Sequence, residues 1–167
     1  MPKMPPRELI AQVCEAGTWA PTGHGKQSPL IVAITRRDIR DRLSALNARI
    51  WNELTVQRGG VAREGIDPFY GAPVILLVLA DHTVPTHLYD GCAVLTNMAN
   101  MAESLGLATC WIHRAHEETE CTEGRQLLAE MGISGDYVGI DHLALGYAAG
   151  PAPVPRPRKE GYVRWVE

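Results

Sequence analysis

Apolar residues along this chain alternate between helical spacing, near every 3.6 residues, and short unbroken runs, which predicts helices interleaved with buried strands. Pro5-Pro6-Arg7-Glu8 suits a first helical turn; Leu9, Ile10, Val13 and Cys14 follow helical spacing, and Gly17 can end the helix. Residues 20–29 carry too much Gly and Pro for anything but a loop, which runs into Leu30-Ile31-Val32-Ala33-Ile34, a buried strand. From about 36 to 57, Ile39, Leu43, Leu46, Ile50 and Leu54 mark an amphipathic helix, followed by a loop over 58–68. Residues 74–80 are seven consecutive apolar residues, so that strand is covered on both faces and central.

Residues 86–106 predict a helix closed by glycine. At 100° per residue, Asp90, Thr96, Asn97, Asn100, Glu103 and Ser104 share one stripe; the remainder is apolar or small, so most of this helix is buried and another backbone can come close. A strand over 107–112, a short helix over about 118–131 and a strand within 137–147 follow. The tail, about 148–167, opens with alternate prolines that force an extended arm of roughly 30 Å. Its last six residues alternate as a strand, with Val163 and Trp165 on one side, which returns to its own sheet or crosses to a neighbour.

Composition narrows the class. At 167 residues, 46% apolar and 21% charged, the chain predicts one globular domain spanning 1–167. A net charge of −3 with dispersed basic residues argues against nucleic acid, and no run approaches the roughly 18 apolar residues of a membrane span. Four scattered cysteines without a CxxC pair, and no apolar leader, predict a reduced, cytoplasmic protein. Cys110, inside an apolar strand, reads as core and not redox-active. His113 and His116 lack a third ligand in sequence, so no metal site is expected, and Asp141-His142 lacks a nucleophile turn, so His142 reads as a strand residue.

Three segments in register resemble the FMN-dependent nitroreductase family. They are Ala16–Pro29, with its Ala-Pro-Thr turn and Gly-Lys-Gln-Ser-Pro loop; Ala102–Ile112, a helix end and the strand after it; and Leu145-Gly146-Tyr147 followed by Pro157-Arg158-Lys159 and a terminal strand. The resemblance implies an α+β fold, a mixed β-sheet flanked by helices, with the C-terminal strand exchanged in a homodimer. It implies FMN as cofactor, reduced by NAD(P)H and reoxidised by nitroaromatics, quinones or similar acceptors. Carried over residue by residue, Thr22, Gly23, His24, Gly25 and Gln27 reach the flavin from the neighbouring subunit, and Trp111, Ile112, His113 and Arg114 lie along its ring. Arg158 and Lys159 meet its phosphate, and Phe69 and Tyr70 line the substrate face. No side chain is expected to act as a catalyst, because the flavin carries the chemistry.

Two departures qualify the match. The family's usual first helix, with an Arg-x-Ser-x-Arg phosphate clamp, does not occur in the sequence given, and the family's loop asparagine is Gly25. They motivate an alternative: a dimer of this fold that is non-catalytic or poor in cofactor. A further reading is an enzyme that consumes flavin as its substrate.

Overall fold

The computed structural model describes residues 3–151 and 154–167. Ala152 and Pro153 of the expected arm lie outside the described residues. The first helix, α1 (Arg7–Thr18), starts where the Pro6 carbonyl accepts the Leu9 and Ile10 amides. A single 3₁₀ turn (Gly23–Gly25) leads to β1 (Pro29–Ile34), followed by α2 (Arg37–Gln57), β2 (Val74–Asp81), α3 (His87–Ser104) and β3 (Ala108–Ile112). The helix expected over 118–131 is two, α4 (Ala115–Glu120) and α5 (Thr122–Glu130), before β4 (Tyr137–Gly146). Cys121 makes the break: its backbone is extended, and its sulfur caps α5 by accepting the Gly124 amide.

The strands form one sheet in the order β1-β2-β4-β3. Every pairing among the described residues is antiparallel, where a mixed sheet was expected. Residues Val74–Ala80 are buried on both faces, as the apolar run required. Val74, Leu76, Val78 and Ala80 face Ile10 and Val13 of α1 and Val94, Leu95 and Met98 of α3. Ile75, Leu77 and Leu79 face Ile39, Leu43, Leu46 and Ile50 of α2 and Leu127 of α5. The result is a three-layer α+β fold with a core on each side of the sheet.

The small residues of α3 act as expected. A Cβ on Gly91 would sit 2.6 Å from Ile140 Cγ1, so only glycine lets the helix lie this close to β4. The helix ends at Gly106, whose φ of +71° turns the chain, with Leu107 donating to the Ala102 carbonyl at 2.9 Å. The register of β2 against β4 slips between Val78 and Leu79, leaving Ile140 as the extra residue. Ile140 and Leu143 therefore face the same core, and Asp141 follows the bulge.

One expectation changes at the sheet's edge. Cys110 is exposed, not core, because β3 is the terminal strand and its outer edge has no strand neighbour among the described residues. Residues 162–167, expected as a strand that returns to its own sheet or crosses to a neighbour, do not return to this sheet: Tyr162, Val163, Trp165 and Val166 are exposed and pair with nothing described.

Candidate functional site

The loop from Thr22 to Ser28 is fastened to α3 by one buried carboxylate. Asp90 accepts hydrogen bonds from the Gly23 amide (2.9 Å), Ser28 Oγ (2.7 Å) and Thr86 Oγ1 (3.2 Å). Burial pushes its carboxyl upward, but these donors outweigh burial and hold it below its ordinary range. Gly23 is obligatory here, since a Cβ would meet Thr86 Oγ1 at 2.2 Å. Beyond this anchor, His24, Gly25 and Gln27 have φ of +52°, +65° and +50°, and all three are exposed. Left-handed backbone at two non-glycine residues costs about 1–3 kcal/mol each and persists only where the surroundings enforce it. Asp90 was missed by the helical wheel, which grouped it with solvent-facing residues. The available signal was its being the only acid in α3 before Glu103.

At the end of β3 a second constellation forms around Asp141 of β4. Its Oδ2 accepts from Trp111 Nε1 at 2.7 Å, and its Oδ1 lies 2.9 Å from His113 Nδ1. Arg114 follows with φ of +90°; its Nε donates to Asn47 Oδ1 at 3.0 Å and its guanidinium stands 6.0 Å from the Trp51 ring. Asn47, fully buried in α2, donates to the His113 carbonyl at 3.0 Å and to Glu118 Oε1, so it braces the turn from beneath. Trp51, Asp67, Tyr70, Trp111, His113 and Arg114 line a hollow of about 280 Å³.

Below that turn lies a buried ion pair. Glu118 Oε2 is 2.9 Å from His142 Nε2, close but off-axis for a hydrogen bond, while His142 Nδ1 faces the Ile112 carbonyl at 3.2 Å. Burial disfavours charge on His142, yet both ring nitrogens face acceptors and the Glu118 carboxylate outweighs burial, so its pKa is raised. His142 is a strand residue, as expected, but Asp141 pairs with His113 and not with its chain neighbour.

The structure brings Trp111, Ile112, His113, Arg114 and Tyr70 to one hollow, while Thr22 and Gln27 line another, of about 390 Å³, against α1 and β1. Arg158 and Lys159 are exposed on the tail, with Lys159 Nζ 5.3 Å from the Tyr162 ring centroid. Phe69 departs from its expected role: it is 2% exposed and packs edge-on to the His142 ring, 5.1 Å between centroids. Its side chain fills the core, because the left-handed turn at Tyr70 sends only the second aromatic outward.

A family model described as "Nitroreductase family" matches residues 1–147. The chain belongs to the nitroreductase family. A nitroreductase with bound FMN from Bacteroides fragilis is 26% identical, over 99% of this chain and 90% of that one, with a TM-score of 0.85. A BluB-like flavoprotein from Clostridium difficile shares the fold at 20% identity and TM-score 0.77, over 99% of this chain and 91% of that one. So does an iodotyrosine deiodinase bound to FMN and 3-iodo-L-tyrosine, at 18% identity and TM-score 0.75, over 100% and 91%. A search of curated proteins found no match. Among the described residues no helix is long and apolar enough to cross a membrane.

Proposed function

We propose that two copies of this nitroreductase-family chain together bind FMN and act as an NAD(P)H oxidoreductase that reduces quinones, nitroaromatics or similar acceptors. The observation that carries this is the match to the FMN-bound Bacteroides fragilis nitroreductase over nearly the whole chain. When bound, FMN supplies the redox chemistry, accepting two electrons from the nicotinamide and passing them on.

The residues present suit such a group. Trp111 offers a half-exposed indole at the end of an edge strand whose outer backbone pairs with no strand among the described residues, a surface fit for a flat heteroaromatic ring. Arg114, its guanidinium bonded to a neutral amide, keeps its charge for an anionic partner. His24, Gly25 and Gln27 hold open backbone outward, and a Cβ on Gly25 would meet nothing within 4 Å. Gln27 lines one hollow of the chain and Trp111 and Arg114 another, and a second copy is what joins them. In that dimer the tail crosses to the partner, its terminal residues pair there, and Arg158 and Lys159 meet the phosphate. Four free cysteines agree with a cytoplasmic setting.

The test is the visible spectrum of purified protein with and without added FMN, followed by NADH and NADPH oxidation with menadione or a nitroaromatic. A yellow or FMN-reconstituted dimer that turns over supports the reading. Protein that ignores millimolar FMN overturns it and leaves the alternative, a dimer that keeps the fold without the cofactor.

A further inference from the structure

We propose that His113, oriented by Asp141, is a catalytic proton donor to the electron acceptor, and that the hollow it lines takes planar aromatic acceptors bearing a reducible oxygen. The inference rests on the FMN reading above and adds a role for a side chain within it.

His113 differs from the chain's other exposed His–carboxylate contacts. In His82–Asp136 and His116–Glu120 both side chains are largely exposed, at 45% and 70% and at 55% and 62%. In His113–Asp141 the acid is 12% exposed and the imidazole 70%. The carboxylate is fixed in β4 beside the bulge and held by a second donor, Trp111 Nε1 at 2.7 Å. A surface ion pair has no need of such an anchor, whereas an acid that fixes one imidazole nitrogen leaves the opposite nitrogen free in a defined direction. Because a carboxylate only accepts, Nδ1 carries the hydrogen, and Nε2 is the atom open to the hollow.

The surroundings specify the ligand's chemistry. Three rings, from Trp51, Tyr70 and Trp111, line the hollow and suit a flat aromatic body. The charged groups near His113 are Asp141 on β4, Arg114 beside it, Asp67 before β2, and Arg58 and Glu117 across the adjoining hollow. Arg114 gives the site a fixed cation, which favours an oxygen that gains negative charge as it is reduced.

The step balances. Quinone, reduced nicotinamide and one proton become hydroquinone and oxidised nicotinamide, the electrons passing by way of FMN. The quinone's carbonyl π bonds are lost as the ring becomes aromatic, one oxygen gains hydrogen with the electron pair, and the other takes the proton from His113 Nε2. The donor is the doubly protonated ring: its Nε2–H bond breaks, leaving the neutral imidazole with its hydrogen on Nδ1 toward Asp141, and Nε2 takes up a proton again from water, to which it is open.

The test compares FMN-saturated wild-type protein with H113G and D141N, following FMN reduction by NADH and its reoxidation by menadione separately in a stopped-flow instrument. In H113G reoxidation slows relative to reduction by about a hundredfold, the scale of general acid catalysis, and added imidazole restores at least a tenth of the wild-type rate. ¹⁵N NMR of the His113 ring, which does not depend on turnover, shows the Nδ1–H tautomer in the wild type and loses it in D141N. Reoxidation unchanged in H113G, slowing that imidazole does not relieve, or an Nε2–H tautomer in the wild type each overturn the inference. Wild-type protein that binds no FMN overturns this inference and the functional reading together; protein that binds and is reduced normally while His113 proves silent overturns this inference alone.

Discussion

At the scale of single residues, Asp90 and Phe69 mark the limit of pattern reading. A helical wheel gives an angle around the axis but not the neighbour found there, and Asp90 points at the one place where a loop crosses the start of α3. Removing it strands the Gly23 amide and Ser28 hydroxyl, so Asp90→Ala is expected to cost about 2–4 kcal/mol in chemical denaturation. It also frees the His24–Gln27 segment, so trypsin cuts after Lys26 faster than in wild-type protein; a variant as stable and as resistant as wild type contradicts this role. Because the folded carboxyl is held low, the stability it adds is present above the ordinary aspartate range and is lost as pH falls through its folded value. Phe69 and Tyr70 read alike as neighbouring aromatics, yet one backbone dihedral sends them to core and surface.

Among elements, the contact of α4 with β4 is the one most dependent on charge. Glu118 and His142 are 2% and 0% exposed and face each other beneath the turn that carries His113 and Arg114. Since the folded His142 pKa lies above its ordinary 6.5, the stability it contributes is complete below that value and declines as pH rises through the folded pKa. Unfolding free energy measured by denaturant from pH 6 upward is therefore expected to decrease, and His142→Gln to flatten that decrease. Breaking the pair by Glu118→Ala is expected to cost about 3–5 kcal/mol, as for other buried pairs left with one charge. A wild-type profile that rises with pH over this range would falsify the assignment. Neither partner announced the other in sequence, 24 residues apart, because Glu118 is one of several acids in a polar segment, His142 lies in an apolar strand, and only the packing of helix on strand joins them.

For the whole molecule, the surface left open is the informative part. Trp19, Tyr89 and Trp165 are 80%, 74% and 85% exposed, and large aromatics of this kind are enriched where subunits meet. The proposed exchange of tails explains Trp165 and offers cover for the rest. A chain ending at Gly150 is expected to sediment as a monomer or to aggregate, and to bind FMN at least tenfold more weakly for want of Arg158 and Lys159. An unchanged dimer with unchanged FMN affinity contradicts the exchange.

Sequence by itself determined the alternation of helices and strands, the central place of residues 74–80, the glycine-rich loop, and the close approach of a helix rich in small residues. Each follows from local periodicity or from the absence of a Cβ, which the chain encodes position by position. Tertiary structure alone decided that the strands within one chain pair antiparallel, that Cys110 lies at an open edge, that Phe69 turns inward, and that Asp141 serves His113 instead of His142. Those outcomes depend on which elements become neighbours, and sheet order, a bulge and a left-handed turn set that across distances no local pattern records.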